Sequence, residues 1–213
     1  MPAAAPLLLA FALASPPATA SRPVVQVEGR TVRSERDPAV TIRVPEDYAY
    51  AGGEPFELGK GTVAEAHVFV RAGPDRRVQG LYWIQLEGAL RPYRYPFTRT
   101  RELGGLRFDV SAKARRTSEW GGPGSDTDHV LGIVRRAGYS LPDAIVRVRL
   151  VHLADAALTR ELMIIYVEDL ASTGFPAKDV PVRDGDADPD LAETAPAVVE
   201  RAIAGLEVRR AGR

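Results

Sequence analysis

Over much of the chain after residue 24, hydrophobic residues recur at every second position. Val25 and Val27 alternate with Gln26 and Glu28, and Val40, Ile42 and Val44 alternate with Thr41 and Arg43 until Pro45 ends the run. A period of two puts successive side chains on opposite faces of an extended chain, so both segments are predicted to be half-buried strands. Between residues 62 and 71, Ala64, Ala66, Val68 and Val70 share one face while Glu65, His67, Phe69 and Arg71 share the other. Gly73-Pro74-Asp75 has turn chemistry, and 78–87 returns with Leu81, Trp83 and Gln85 opposite Tyr82, Ile84 and Leu86. This is a predicted hairpin whose second strand is apolar on both faces. Residues 106–116 alternate again, Leu106, Phe108, Val110, Ala112 and Ala114 inward against Arg107, Asp109, Ser111, Lys113 and Arg115 outward.

The period changes after Gly121-Gly122-Pro123-Gly124. Ser125 is placed to cap a helix with Asp128 three residues on, and Val130, Leu131, Ile133, Val134 and Ala137 form an apolar stripe that Gly138 ends. Two strands follow, Ile145 to Leu153 and Arg160 to Glu168; the run Leu162-Met163-Ile164-Ile165-Tyr166-Val167 marks the second for the sheet centre. Thr194 is read as the cap of a last helix carrying Val198, Val199, Ala202, Ile203 and Leu206. Residues 46–60 and 171–192, rich in Gly, Pro and acidic residues, are read as loops, the first anchored by Tyr48, Tyr50 and Phe56.

Strands joined by short turns, with helices only late in the chain, argue against a doubly wound parallel sheet. The expected class is α+β: a twisted, mainly antiparallel sheet of about seven strands with two amphipathic helices packed on one face. The core is expected to form one domain over residues 21–208, with 209–213 a disordered tail.

The first 20 residues change the picture of where this domain works. Pro6 to Ala14 is an apolar run of nine residues, too short to cross a bilayer. Ser15-Pro16-Pro17 breaks it, and Ala18-Thr19-Ala20 fits the small-residue pattern before a signal-peptidase cut. Residues 1–20 are therefore read as a secretory signal, although residues 1–6 contain no Lys or Arg. A periplasmic or secreted protein meets an oxidising compartment, yet the chain has no cysteine, so its core must hold it without disulfides. No transmembrane segment is expected after cleavage. With 28 basic and 28 acidic residues there is no global field to draw in nucleic acid, which is not expected as a partner.

Local charge is more informative. Between residues 91 and 116 eight basic residues face Glu102 and Asp109 alone, and Tyr93, Tyr95 and Phe97 lie among the first of them. Rings that stack and guanidinium groups that grip anions make Arg91, Tyr93, Arg94, Tyr95, Arg99 and Arg101 the candidate ligand-binding residues. The expected partner is an anionic envelope component or a protein; the bland alternative is a solvated basic strand face. No catalytic constellation emerges. Ser125 to His129 has the letters of a triad but is better explained as helix capping. His67, His129 and His152 lack a metal-ligand spacing, and no cofactor is implied. Asp184, Asp186, Asp188 and Asp190 alternate as in calcium loops, but Pro189 stands where the sharp turn wants Gly. The leading functional expectation is a non-catalytic exported binding or accessory module. A hydrolase using Glu65, Glu87 or Asp109 with a histidine, and a self-associating structural protein, are the alternatives.

Overall fold

A computed structural model describes residues 24–35, 37–59, 61–174 and 196–211. The signal segment and the acidic stretch 184–190 lie outside the described residues. Among the described residues eleven strands form two antiparallel sheets. The larger has the order β4 (Ala49–Leu58), β5 (Thr62–Ala72), β6 (Val78–Ala89), β10 (Arg160–Asp169), β9 (Ala144–Leu153), β8 (Leu106–Arg116) and β7 (Thr100–Leu103). The smaller has the order β1 (Val25–Glu28), β2 (Thr31–Ser34), β3 (Val40–Arg43) and β11 (Glu207–Arg210). The α-helices of the described residues, α1 (Asp126–Arg136) and α2 (Pro196–Ala204), complete the α+β class expected from the hydrophobic pattern. Among the described residues no helix is long and apolar enough to cross a membrane.

Strand position follows side-chain content. β10, apolar on both faces, is the middle strand of the seven, and β6 beside it is buried along nearly its whole length. β5, β6, β10 and β9 divide their residues between two cores, whereas β8 buries its apolar residues in the first alone. Tyr82, Ile84, Phe108, Val148, Leu150, Ile164 and Tyr166 pack with Val32, Ile42 and Val208 of the small sheet and with Val198 and Ala202 of α2. Trp83, Ala66, Val68, Met163 and Ile165 pack on the other side with Val130, Ile133 and Val134 of α1. Each helix thus lies by its apolar stripe on one face of the large sheet, α1 on the Trp83 face and α2 on the Tyr82 face, a distribution that refines the shared face of the sequence reading.

The ends of the helices carry the chemistry their sequences promised. Ser125 Oγ accepts from the Asp128 backbone N–H at 3.2 Å, Asp126 and Asp128 sit at the positive end of the dipole, and Arg135 and Arg136 at the negative end. On the opposite face Arg201 of α2 holds the buried Glu168 carboxylate with two bonds, Nη2 to Oε1 at 2.7 Å and Nε to Oε2 at 3.1 Å.

Four strands depart from the sequence reading. Residues 49–58, expected as loop, form the edge strand β4. An edge tolerates Pro55, whose missing N–H costs no ladder bond on the solvent side, and the register shift between Tyr50 and Gly52 absorbs the glycine pair as a bulge. A Cβ at Gly53 would collide with His67 Nδ1 and lie 2.7 Å from the Ala66 carbonyl oxygen, so glycine here serves close strand packing rather than a turn. Arg209 and Arg210, expected to fray, belong to β11, where they pair with Thr41 and Val40 of β3. The backbone of β3 offers a free ladder edge there, and Val208 anchors the strand by entering the core. The short strands β2 and β7 were also absent from the hydrophobic pattern, which four residues are too few to register.

Candidate functional site

The connection from β6 to β7 must pass the ends of β10, β9 and β8, because β6 is third in the sheet and β7 seventh. Four strand spacings are about 19 Å, a distance that residues 90–99 cover as an extended segment. Pro92 and Pro96 favour that conformation, since each fixes φ and lacks the N–H a helix would need. Burial alternates along it: Tyr93, Tyr95, Phe97 and Arg99 are half-buried, whereas Arg91, Arg94, Pro96 and Thr98 are exposed. The Tyr93 backbone N–H donates to the Leu158 carbonyl at 2.7 Å, fastening the segment to the turn between β9 and β10.

Both tyrosine hydroxyls end on acids. Tyr93 Oη donates to Glu87 Oε2 at 2.6 Å, and Tyr95 Oη to Glu161 Oε2 at 2.7 Å. Glu87 and Glu161 are directly opposite in the β6–β10 ladder, 7% and 1% exposed. Gln85 Nε2 donates to Glu87 Oε1, and Trp83 Nε1 in turn donates to Gln85 Oε1 at 2.8 Å. Arg149 Nη2 lies 3.4 Å from Glu161 Oε1, and its guanidinium sits 4.9 Å from the centre of the Tyr95 ring. The two tyrosine rings stack at 5.9 Å with 12° between their planes.

Burial pushes both carboxyls above the ordinary range. At Glu161 the charge of Glu87 adds to burial and takes the group to about 7; at Glu87 the hydrogen bonds from Tyr93 and Gln85 act against the rise. Burial and the neighbouring acids also raise the two phenols, which keeps them protonated as donors. With one arginine beside two facing acids, the pair retains a proton toward neutral pH.

Outside this buried pair, the same segment forms a groove. Tyr93, Arg94, Tyr95 and Phe97 face Leu153 and Leu158 across a cavity of about 540 Å³. That volume lies within the range of small-ligand sites, and the walls combine ring surface with one exposed guanidinium at Arg94. Phe97 at φ 43° and Leu158 at φ 57° hold left-handed conformations unfavourable for side chains of their kind. Leu158 is fixed there by Asp155, whose carboxylate accepts from Thr159 N at 2.8 Å, Arg160 N at 2.9 Å and Thr159 Oγ1 at 2.8 Å.

The six residues singled out in the sequence are thereby sorted. Tyr93, Arg94 and Tyr95 come together at the groove, and Arg91 is exposed at the start of the same segment. Arg99 is half-buried, its backbone N–H directed at Asp109 Oδ1 over 3.4 Å. Arg101 pairs with Phe108 on β8, so its side chain leaves on the Tyr82 face, where it lies 3.9 Å from Glu200 of α2. The two tyrosine rings are fixed in place, because their hydroxyls are bound beneath them. Glu161, Arg149 and Leu158 were missed as partners of the segment; the available signal was the polar Gln85 and Glu87 next to the apolar run Leu81–Ile84.

A second polar cluster joins Glu65, His67 and Tyr50. His67 Nε2 lies 3.1 Å from Glu65 Oε1, and Tyr50 Oη lies 3.0 Å from His67 Nδ1. Both bonds form when Nε2–H donates to the carboxylate and Nδ1 accepts from the phenol. His67 is 6% exposed and does not line the groove, and burial and the Glu65 charge raise the Tyr50 phenol rather than activating it. The other histidines stand apart: His129 stacks on Phe56 at 4.3 Å, and His152 Nδ1 donates to the Arg107 carbonyl at 2.9 Å.

Comparison with protein-family models, with curated proteins and with solved structures finds no match for this chain.

Proposed function

We propose that this protein is an exported, non-catalytic binding module whose groove along residues 92–97 takes an anionic, ring-bearing polymer of the cell envelope. The observation that carries the reading is the groove itself: three aromatic rings and Leu153 and Leu158 form its walls, and Arg94 stands exposed at its rim. Sugar-like rings stack on aromatic walls through dispersion and C–H contacts, and a guanidinium accepts the planar fork of a carboxylate or phosphate. The buried acid pair supports the site from below by fixing Tyr93 and Tyr95, so little ordering entropy is lost on binding. Two non-glycine residues held at positive φ in the groove walls agree with a conformation kept for use. Export rests on the apolar run 6–14 and the small-residue pattern at 18–20.

The hydrolase reading has one observation in its favour, the hydrogen bond between His67 and Glu65, but His67 is buried against Tyr50 and does not line the groove. Co-sedimentation with isolated envelope material tests the binding reading. The wild-type protein should be retained at low salt and released as ionic strength rises, and the R91E/R94E variant should lose most of its retention. Equal retention of the two proteins would overturn it.

A further inference from the structure

We infer that Glu87 and Glu161 form a proton latch: the segment 92–97 stays closed while the pair holds one proton between them and is released when that proton leaves. The release follows from the segment's own contacts; its consequence, loss of a groove wall and with it of the anionic ligand, rests on the binding reading above.

The charges around the pair set the balance. The two acids face each other across one rung, with Cβ atoms roughly 5 Å apart. From β9, Arg149 brings one positive charge to Glu161. From the first turn of α1 the charge of Asp126 opposes ionisation of both acids, and β5 sets the uncharged Ala64 opposite Glu87. The segment itself brings the hydroxyls of Tyr93 and Tyr95, which burial and the acids keep protonated. With one shared proton, a single carboxylate is left to the single guanidinium. Without it, a second anion is left to the same guanidinium in a site nearly closed to water. Each hydroxyl bond strengthens on ionisation, but the Tyr95 bond does not outweigh burial and the facing charge, since Glu161 still titrates at about 7.

The repulsion is relieved where the fold holds least. β6 and β10 are each laddered on both sides, whereas residues 92–97 belong to no strand. The segment is tied by the Tyr93 N–H to the Leu158 carbonyl at 2.7 Å and by the two hydroxyls, at 2.6 and 2.7 Å, that end on the pair itself. Pro92 and Pro96 have no N–H to add, and Phe97 at φ 43° gives up an unfavourable backbone when the segment lifts. Lifting it brings water to both carboxylates. The closed segment therefore binds the proton more tightly than the open one, and opening rises with pH.

Amide hydrogen exchange of the ¹⁵N-labelled full-length protein, corrected for the intrinsic pH dependence of exchange, tests the inference. The Tyr93 amide should be protected far less than that of Ile164 in the middle of β10, whose ladder bonds open with the whole fold. Its protection should fall about tenfold between pH 6 and pH 8, the ratio that linkage gives a carboxyl titrating at about 7 when closed and near 4.5 when hydrated. E161Q, which has no proton to lose, should remove the fall, and its comparison with the wild type cancels the protonation of histidines elsewhere. E87Q, which keeps Glu161 beside Arg149 without the facing charge, should move the fall to lower pH. The inference is overturned if Tyr93 is as protected as Ile164, if its protection is the same at pH 6 and pH 8, if E161Q falls like the wild type, or if E87Q leaves the fall where it was. No ligand enters these measurements, so their outcome is separate from that of the co-sedimentation test.

Discussion

Glu161 of β10 faces Glu87 of β6 across one rung of the ladder, both buried and each held by the hydroxyl of a different tyrosine from the same segment. Two acids in one dry site are ordinarily unfavourable. Here they act as the two posts to which residues 92–97 are tied, and they decide how the groove stands and how the protein responds to pH.

Stability should fall as pH rises toward neutrality. Burial and the facing Glu87 push the Glu161 carboxyl up to about 7 in the folded protein against 4.5 for an ordinary glutamate, so between these the folded state holds the extra proton. The contribution is fully present below about 4.5 and lost as pH passes through about 7, with a span on the order of 3 kcal/mol. Thermal unfolding at pH 5 and pH 7.5 should show the higher midpoint at pH 5, and E161Q, which is neutral throughout, should flatten that difference. A midpoint that rises from pH 5 to 7.5 would contradict the assignment.

Removing either tyrosine hydroxyl leaves a buried acid without its donor. Y93F and Y95F should each destabilise by about 1–3 kcal/mol, in denaturant titrations followed by Trp fluorescence. The effects should not add, since both acids belong to one network. Strict additivity would mean that Glu87 and Glu161 are not coupled.

Asp155 accepts three hydrogen bonds in the turn that presents Leu158. D155A should cost about 2–3 kcal/mol and also weaken ligand binding at the groove, because Leu158 then has no reason to keep its left-handed backbone. A variant with lowered stability and undiminished binding would separate this turn from the site.

On the opposite face, R201A strands Glu168, which is 3% exposed and otherwise bonded only to the Tyr166 hydroxyl at 2.7 Å among the described residues. The expected loss is about 3 kcal/mol, with R201K recovering part of it because an ammonium cannot reproduce the two-pronged contact. Groove binding should be unchanged.

Much of the fold was legible because its signal is local. Val148, Leu150, Ile164 and Tyr166 declare their face by alternation, β10 declares its central place by continuous apolarity, and Ser125 declares a helix start. What escaped depends on partners distant in sequence. Ala49–Leu58 is a strand because β5 lies beside it, and Gly53 is glycine because His67 packs there, neither of which composition can show. The candidate site was legible in the same uneven way. Tyr93, Arg94 and Tyr95 stood out by type, but the alternation that turns the tyrosines inward has meaning only with Glu87 and Glu161 beneath them. Arg101 was grouped with them by proximity along the chain, and one strand register sends it to the other face.

The groove itself is tested most directly by isothermal titration with a defined uronate oligosaccharide, compared with a neutral hexose oligosaccharide of equal length, for the wild-type protein and R94E. The uronate oligomer should bind the wild type at least tenfold more tightly than the neutral one, and R94E should remove that difference at unchanged thermal stability. Equal affinity for the two sugars, or equal uronate affinity in wild type and R94E, would contradict an anion-selective aromatic groove.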